Sequence, residues 1–461
     1  MYDLIIVGAG ASGIFAAYEA IKLKPELKIL IIEKGYSLEK RKCPIDGVKI
    51  KGCMHCKSCA IMNGFGGAGA FSDGKYNITN NFGGDLYQYI GKEKTIDLLW
   101  YVDKINLEMG AAGTKLYSTA NSKIKEMALR NDLHLLDAQV RHLGTDINYK
   151  VLTNMYNYLK NKVEFKFNTE CLSVEKINNE FEVVITKDKD TGVDVLKCSR
   201  LILATGRSGS KWISEICAKL GIKTTNNRVD IGVRVELPAE IFNHITNDVY
   251  ESKIVYRTKK YGDFVRTFCM NPYGIVVTEN TNGIVTVNGH SYSDPSLRSP
   301  NTNFALLVSN SFTEPFKNSN EYGESIARLS NLLGGSVIVQ RLGDLLRGQR
   351  STEHRMEQSF TVPTLKATPG DLSLVIPKRQ LDDIIEMIYA LDKIAPGTAN
   401  DSTLLYGVEV KFYNCKVELN NNLETKIKDL YILGDGSGVS HSLSHASASG
   451  VYVGRIIANE I

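Results

Sequence analysis

Four cysteines near the N-terminus have a spacing that suits metal chemistry. Cys53, Cys56 and Cys59 form a C-x2-C-x2-C run, and Cys43, which a proline follows, precedes this run. Thiolates with this spacing resemble the ligands of iron–sulfur clusters, and four of them complete a [4Fe–4S] site. Zinc is the first alternative, because four-cysteine zinc sites also use C-x2-C pairs, although they usually combine two such pairs. Unliganded thiols or a redox-active disulfide are a third interpretation.

A glycine-rich turn lies at the start of the sequence. Gly8, Gly10 and Gly13 follow an apolar strand and open an alanine-rich helix. In dinucleotide sites the first glycine permits a tight turn, the second lets the backbone approach a pyrophosphate and the third allows close helix–strand packing. The helix N-terminus offers N–H groups to phosphates, and Glu33 ends the next strand, where a carboxylate binds ribose hydroxyls. The predicted contacts are Gly8, Gly10, Ala11, Ser12, Gly13, Glu33 and Lys34.

Two later segments also combine a buried strand with a turn of small residues. They are Leu201–Gly206 and Tyr431–Asp435, and they resemble the corresponding segments of the glutathione-reductase-like FAD superfamily. The resemblance implies that the cofactor is FAD and that Asp435 binds the ribityl chain or the flavin-side phosphate. It also implies that the strand around Cys171 lies along the adenine, with Cys171 contributing its backbone. The implied contacts are Cys171, Ala204, Thr205, Gly206, Gly434 and Asp435.

Four further blocks narrow the resemblance. They are Gly64–Lys75, Arg141–Asp146, Asp230–Glu236 and Arg266–Gly274. In this order they are similar to a bacterial family of FAD-dependent dehydrogenases that is related to flavoprotein ene-reductases, and the similarity covers nearly the whole chain. It implies the fold and the cofactor but not the substrate. It also implies that the glycine-rich block contacts the flavin and the pyrophosphate through Gly67, Ala68 and Ser72, whereas a flexible surface loop is the alternative.

Two histidines follow the second acidic turn. His441 and His445 stand where relatives in that family tend to have a Gly-Gly-Ile-type sequence. Both are predicted at the start of the helix that faces the flavin. Imidazole there could donate a proton to a substrate whose other carbon receives hydride. It could equally form a hydrogen bond with the flavin or cap the helix.

Length and pattern predict two domains. A chain of 461 residues exceeds what one hydrophobic core usually serves. The opening βαβ pattern and the last strand–turn–helix resemble each other, and short alternating strands lie between them. We therefore predict a three-layer α/β Rossmann-like FAD-binding domain over residues 1–210 and 401–461, with a cysteine-rich loop at 36–80. Residues 211–400 are predicted to form an inserted α+β substrate domain of mainly antiparallel strands.

Composition sets further expectations. Hydrophobic residues make up 43% and charged residues 23% of the chain, and the net charge is +4 with scattered basic residues. This balance is that of a globular protein and gives no reason to expect nucleic acid or an anionic membrane as a partner. No apolar run approaches the roughly 18 residues of a membrane span, and the opening does not have the pattern of a signal peptide. We therefore expect a cytoplasmic location.

These features predict an FAD-dependent oxidoreductase. The expected reaction is hydride transfer between the flavin and a small organic substrate, either reduction of a C=C or C=N bond or the reverse dehydrogenation. The [4Fe–4S] cluster would relay electrons, and the donor would be a ferredoxin-like carrier or NAD(P)H. Two other classes stay open, a flavin-dependent tRNA-modifying enzyme and a non-catalytic redox-sensing flavoprotein. Candidate groups for a substrate carboxylate, each with a packing or surface role as the alternative, are Arg234, Arg266, Asn271, Arg347 and Arg350.

Overall fold

The structure is a computed structural model that describes residues 1–44, 54, 56, 58–186, 192–281, 283–292, 295–313, 315–316 and 318–460. Cys53 and His55 therefore lie outside the described residues. The chain divides into two compact units. Unit 1 comprises Met1–Leu116, Gln139–Asn227 and Tyr413–Ile461, and unit 2 comprises Tyr117–Ala138 and Arg228–Phe412.

The strands are β1 (Tyr2–Val7), β2 (Ile29–Ile32), β3 (Lys75–Ile78), β4 (Leu116–Ser118), β5 (Leu133–Leu135), β6 (Gln139–His142), β7 (Glu164–Lys166), β8 (Cys171–Ile177), β9 (Glu180–Thr186), β10 (Val193–Leu203), β11 (Thr224–Thr225), β12 (Val229–Pro238), β13 (Ile254–Arg257), β14 (Phe264–Asn271), β15 (Ile275–Thr281), β16 (Ile284–His290), β17 (Asn301–Asn310), β18 (Ile338–Arg341), β19 (Thr368–Pro369), β20 (Leu404–Lys411), β21 (Lys416–Val417) and β22 (Leu430–Ile432).

The α-helices are α1 (Ala11–Leu23), α2 (Tyr87–Ile90), α3 (Lys92–Asn106), α4 (Lys123–Leu129), α5 (Gly144–Leu159), α6 (Ser210–Lys219), α7 (Ala239–Val249), α8 (Ser319–Gly334), α9 (Leu342–Leu346), α10 (Glu353–Glu357), α11 (Lys378–Asp392) and α12 (Leu443–Glu460). Among the helices of the described residues, none combines the length and apolarity that membrane crossing requires.

Unit 1 is built on a largely parallel sheet. Its strand order is β7-β2-β1-β10-β9-β8, and β22 also pairs with β10. Strands β7, β2, β1, β10 and β22 are parallel, whereas β9 is antiparallel to both β10 and β8. The long β10 can serve both arrangements, because its first half pairs with β9 and its last residues pair with β1 and β22.

The unit 1 sheet is buried on both faces. Along β1, Leu4 and Ile6 enter the core that α1, α3, α5 and α12 cover, while Ile5 and Val7 enter a second core that includes α6. Alternate side chains of a strand point to opposite faces, so a continuous apolar run is what a doubly covered parallel strand requires. The predicted fold class is confirmed, since unit 1 is a layered, Rossmann-like α/β domain and unit 2 is rich in sheet.

Unit 2 contains an antiparallel sheet of order β19-β18-β20-β12-β17-β14-β13-β5, in which only the β18–β19 pair is parallel. One face of this sheet packs against α4, α7, α8 and α11 in a single hydrophobic core. A separate hairpin, β15–β16, belongs to the same unit.

The unit boundaries differ from those predicted. Residues 401–412 belong to unit 2, because β20 pairs there with β12 and β18. Residues 211–227, with α6, belong to unit 1, where β11 pairs with β21. Residues 117–138 join unit 2 through β5, which pairs with β13. Each difference comes from pairing between residues far apart in sequence, which local pattern does not reveal.

Candidate functional site

Three parallel strands end side by side in unit 1. Val7 of β1 is the cross-strand partner of Leu203 of β10, and Leu203 is the partner of Ile432 of β22. The chain leaves each of these strands in a turn of small residues, at the edge formed by the carboxyl ends of the strands. Open α/β sheets bind ligands outside this edge. Three of the segments predicted to bind the cofactor therefore lie together.

Two glycines of the first turn are required by the protein itself. Gly8 has a φ of +108°, and a Cβ at this position would lie 2.4 Å from the carbonyl oxygen of Ala204. A Cβ at Gly13 would lie 2.1 Å from the carbonyl oxygen of Gly8. Both distances are far below contact distance, so any other residue would displace α1 or β10 from β1.

Gly10 is different. Its φ of −79° suits any residue, and apart from Gly10 and its two chain neighbours no heavy atom of the described residues lies within 4 Å of the position that a Cβ would take. Gly10 immediately precedes α1, so this open space lies beside N–H groups at the helix N-terminus. A side chain here would fill space that the protein leaves open in front of a helix dipole.

The glycine-rich loop lies against this turn. The backbone N–H of Gly66 donates a 2.8 Å hydrogen bond to the carbonyl oxygen of Ala9. At Gly67, where a 3-10 helix (Gly67–Phe71) begins, a Cβ would lie 3.2 Å from the Cα of Gly10. The structure thus brings Gly67 to the edge of the open space.

Glu33 ties several of these segments together. The residue is 6% exposed, and its carboxylate accepts hydrogen bonds from the backbone N–H groups of Ala9 (2.8 Å), Gly35 (2.8 Å) and Gly64 (2.9 Å). Two of these bonds go to Oε1 and one to Oε2. A carboxylate offers about four acceptor positions, so Oε2 keeps capacity for a further donor such as a ribose hydroxyl.

The last turn closes the group of segments. Gly434 has a φ of +66°, and a Cβ there would lie 2.5 Å from Ser12 Oγ. The next glycine, Gly436, approaches Thr205, whose Oγ1 would be 3.4 Å from its Cβ. Thr205 Oγ1 is buried and has no hydrogen-bond partner within the described residues. A buried hydroxyl without a partner is costly unless a ligand or water completes it.

The other predicted contacts take varied positions. Lys34 and Ala68 are half-buried. Ser72 donates a 2.8 Å hydrogen bond to the carbonyl oxygen of Gly69 and so closes the 3-10 turn. Cys171 begins β8 and is buried in the second core of unit 1, where burial raises the pKa of its thiol to about 12. Its sulfur is thus a packing group, which agrees with a contribution from the backbone alone.

The two histidines have different surroundings. His441 lies two residues before α12 begins, is half-buried, and its ring meets that of Tyr413 edge-on with centroids 4.7 Å apart. Its backbone N–H donates a 2.8 Å hydrogen bond to the carbonyl oxygen of Gly83. His445 lies in the first turn of α12 and is completely buried. Only His441 is therefore partly exposed.

Burial makes His445 a neutral imidazole. It lowers the pKa of His445 to about 4, although Asp85 opposes the shift. The Nδ1 atom lies 3.1 Å from the hydroxyl of Ser442, and Nε2 is buried without a partner in the described part of the chain. Gly83 and Gly84 pack directly against the ring, since a Cβ at either would lie within 3.1 Å of it. His445 is thus enclosed, which suits a packing role better than proton donation.

The cysteine-rich loop is closed at its base by Arg41. This buried side chain donates hydrogen bonds to the carbonyl oxygens of Ala60 (2.9 Å), Ile61 (2.7 Å) and Phe65 (2.6 Å). Arg41 stands two residues before Cys43, and Ala60 follows Cys59. The two ends of the loop are therefore held together.

No metal site is visible in the described part of this loop. Cys43, Cys56 and Cys59 are free thiols that are half-buried or exposed. Among the residues that the structure describes, no three His, Cys, Asp or Glu side chains group as metal ligands. Because Cys53 lies outside the described residues, the four-cysteine site stays a prediction from spacing.

Comparison with known proteins bears mainly on unit 2. Residues 228–412 match the protein-family model described as "FAD-dependent protein, C-terminal domain-like". The match begins and ends with the main segment of unit 2, Arg228–Phe412. No curated protein matches the chain.

Three of the solved structures that are similar to the chain illustrate the range of identity. Aklavinone-11 hydroxylase, in a ternary complex with FAD and aklavinone, has 11% identity and a TM-score of 0.43, with coverage of 100% of this chain and 62% of that chain. An E. coli quinol fumarate reductase variant has 13% identity and a TM-score of 0.44, with coverage of 99% of this chain and 70% of that chain. A flavoprotein/dehydrogenase from Cytophaga hutchinsonii has 9% identity and a TM-score of 0.39, with coverage of 99% and 78%. Identities this low leave the reaction open.

Sequence reasoning missed two polar residues of the site. Asn414 is buried, and its Nδ2 donates a 2.8 Å hydrogen bond to the carbonyl oxygen of Asp435 and lies 3.5 Å from that of Gly206. Arg207 Nε lies 3.6 Å from the Asp435 carboxylate. Arg207 directly follows the predicted Ala-Thr-Gly segment, which could have pointed to it, whereas no motif surrounds Asn414.

Proposed function

We propose that this chain is an FAD-dependent oxidoreductase that transfers hydride between the flavin and a small organic substrate. The reaction is reduction of a C=C or C=N bond, or the reverse dehydrogenation. The proposal rests mainly on Gly10, because neither its backbone conformation nor its packing within the described residues calls for glycine. A pyrophosphate that approaches the backbone at the N-terminus of α1 accounts for a glycine at this position.

The neighbouring groups fit the same cofactor. Thr205 Oγ1 is a buried hydroxyl without a hydrogen-bond partner in the described residues, and Glu33 Oε2 keeps an acceptor position for a ribose hydroxyl. Arg207 carries positive charge beside Asp435 at the third turn. The family match over residues 228–412, which is to FAD-dependent proteins, further supports FAD over another dinucleotide. When bound, FAD supplies the hydride chemistry.

The residues of this chain would hold the cofactor and move a proton. The N-terminus of α1 stabilises the phosphates through its N–H groups and dipole. We assign proton donation to the His441 side chain, since its ring is half-buried whereas His445 is fully enclosed. A positioned general acid accelerates such a step by about 10²–10⁴-fold.

Flavin reoxidation tests this function. Full-length protein is purified anaerobically, its flavin is reduced chemically, and the flavin absorbance is followed after mixing with α,β-unsaturated carbonyl compounds or imines. At least one acceptor class should reoxidise the bound flavin about tenfold or more faster than it reoxidises free reduced FAD. His441→Gln should slow this step by roughly 10²-fold or more while the rate of flavin reduction stays unchanged.

The control is His134→Gln, which replaces an exposed imidazole of unit 2 and should behave as the unaltered protein. If every acceptor reoxidises the bound flavin no faster than free FAD, the oxidoreductase proposal is contradicted and redox sensing is favoured. If His441→Gln retains the full rate, His441 is not the proton donor.

A further inference from the structure

The face of the unit 2 sheet opposite its main hydrophobic core is polar along β12. Along β12 this face carries Asp230, Arg234 and Glu236, all 0% exposed. Arg234 donates two 2.7 Å hydrogen bonds to the carboxylate of Glu409, and Glu236 accepts a 2.6 Å hydrogen bond from the hydroxyl of Tyr406. Arg234 was a candidate for binding a substrate carboxylate, but its guanidinium is used inside the unit.

Three cationic side chains surround one aromatic ring on this face. The Lys411 Nζ, the Lys253 Nζ and the Arg266 Cζ lie 4.1, 4.7 and 4.9 Å from the centroid of the Phe268 ring. Cations at such distances are attracted by the π face of a ring. Phe268, Arg266 and Lys411 are half-buried, so the group is partly open. We call Lys253, Arg266 and Lys411 the Phe268 cation cluster.

Carboxylates contact the cluster. Arg266 donates a hydrogen bond to Asp230, and Lys253 lies 3.2 Å from Glu251. Lys411 is the cross-strand neighbour of Asp230. Like charges in a partly buried place repel one another, and burial together with the neighbouring Arg266 and Lys253 lowers the pKa of Lys411 to about 7. An additional anion would relieve this repulsion.

The strand that carries Phe268 is interrupted directly after it. The register between β14 and β17 shifts between Phe268 and Asn271, and Cys269 has a φ of +44°. The carbonyl oxygen of Cys269 accepts a 3.0 Å hydrogen bond from Arg234 Nη1. Bulges and positive φ values at residues other than glycine are over-represented next to binding sites, where they re-aim side chains.

We propose that the Phe268 cation cluster binds the carboxylate group of an organic acid. The site offers hydrogen-bond donors from a guanidinium and two ammonium groups, which suit a carboxylate. The part of the Phe268 ring that the three cations leave exposed adds an apolar surface for the carbon skeleton of the ligand. The existence of this carboxylate site does not depend on the proposed function. Its assignment as the substrate site rests on the proposed function and makes organic acids the substrate class.

Calorimetric titration of the full-length protein tests the site. Sodium benzoate is the probe, benzamide is its neutral counterpart, and sodium phosphate tests whether any anion suffices, all at pH 7 and constant ionic strength. Benzoate should bind at least about tenfold more tightly than benzamide and more tightly than phosphate. Lys411→Met should weaken benzoate binding about tenfold or more, whereas Lys411→Arg should retain most of it. Lys366→Met, at an exposed lysine of the same unit, should leave it unchanged.

Each outcome decides a separate claim. Equal binding of benzoate and benzamide, or unchanged benzoate binding in Lys411→Met, overturns the carboxylate site. If phosphate binds more tightly than benzoate, the cluster is a phosphate-binding site and the carboxylate proposal is overturned. Flavin is measured in the same samples, so that flavin without benzoate binding refutes this inference alone. Benzoate binding in protein that takes up no flavin refutes the proposed function alone.

Discussion

The Glu33 side chain has a structural role in the candidate site in addition to its predicted role in ribose binding. Three backbone N–H groups from the first turn, from the end of β2 and from the glycine-rich loop converge on its carboxylate. Hydrogen bonds to a buried charged group are among the stronger ones in proteins. Glu33 therefore holds in place the backbone segments around Gly10. A ribose hydroxyl, which the sequence predicts as a partner of Glu33, can use only the acceptor positions that these hydrogen bonds leave open.

Burial of His445 predicts how the stability of the protein depends on pH. Its pKa is lowered to about 4 in the folded chain and is near 6.5 in an unfolded one. Between these values the unfolded state binds the proton and the folded state does not. The free energy of unfolding should therefore fall as the pH drops from about 6.5 to 4, by up to about 3 kcal/mol from this group.

Urea unfolding between pH 4.5 and 7.5 measures this effect. The stability difference between the unaltered protein and His445→Gln should shrink steadily as the pH falls. His134→Gln, at an exposed histidine, should give a curve parallel to that of the unaltered protein. A parallel curve for His445→Gln as well would mean that His445 titrates normally in the folded state.

At the scale of elements, two helices support the site through close packing. A Cβ at Gly450 of α12 would lie 2.2 Å from the carbonyl oxygen of Ser12, and one at Gly454 would lie 2.7 Å from that of Ala16. The glycines thus let the backbone of α12 touch α1. This contact holds the helix N-terminus that follows Gly10 against the helix that contains His445.

The cysteine-rich loop carries the prediction for this scale. Arg41 holds the residues next to Cys43 and Cys59 together, and the spacing of Cys43, Cys53, Cys56 and Cys59 predicts that these four bind one metal site. Protein purified anaerobically should contain about four iron atoms per chain for a [4Fe–4S] site, or one zinc for the alternative. Cys56→Ser should remove the metal, whereas Cys217→Ser, in a buried core position, should retain it.

Metal analysis of these variants separates the interpretations. Zinc without iron would leave a structural site and remove the reason for a one-electron relay. Neither metal in the unaltered protein would contradict both metal predictions and favour free thiols. Metal retained in Cys56→Ser would show that the four cysteines do not act together.

At the scale of the whole molecule, local signals predicted the strand–turn elements better than they predicted the boundaries of the two units. The turn at Gly8–Gly13 and the turns after β10 and β22 were recognisable, because each strand–turn pattern is contained in a few residues. The pairing of β5 with β13 was not, since more than 100 residues separate them along the chain. The role of Asn414 was also invisible, because its partners are backbone carbonyls brought near only by folding.

Among the candidate catalytic and binding residues, too, the sequence identifies the candidates and the fold distinguishes between them. The sequence identified His441 and His445 as a pair, but only the fold distinguishes them, since burial depends on Gly83 and Gly84 from a distant segment. The sequence likewise made Arg234 and Arg266 equal candidates for binding a substrate carboxylate. The structure commits Arg234 to Glu409 and leaves Arg266 half-buried beside Phe268.

The flavin content of Gly10→Val tests the central claim most directly. This change should cost the free protein little, about 1 kcal/mol at the helix start, because φ is ordinary and the space is open. The unaltered protein, supplied with FAD, should hold about one FAD per chain, and the folded variant should hold less than about a tenth of that. Gly13→Ala should instead disturb folding, since its Cβ would meet the carbonyl oxygen of Gly8. A folded Gly10→Val that keeps its full FAD, or an unaltered protein that binds none, would contradict the account.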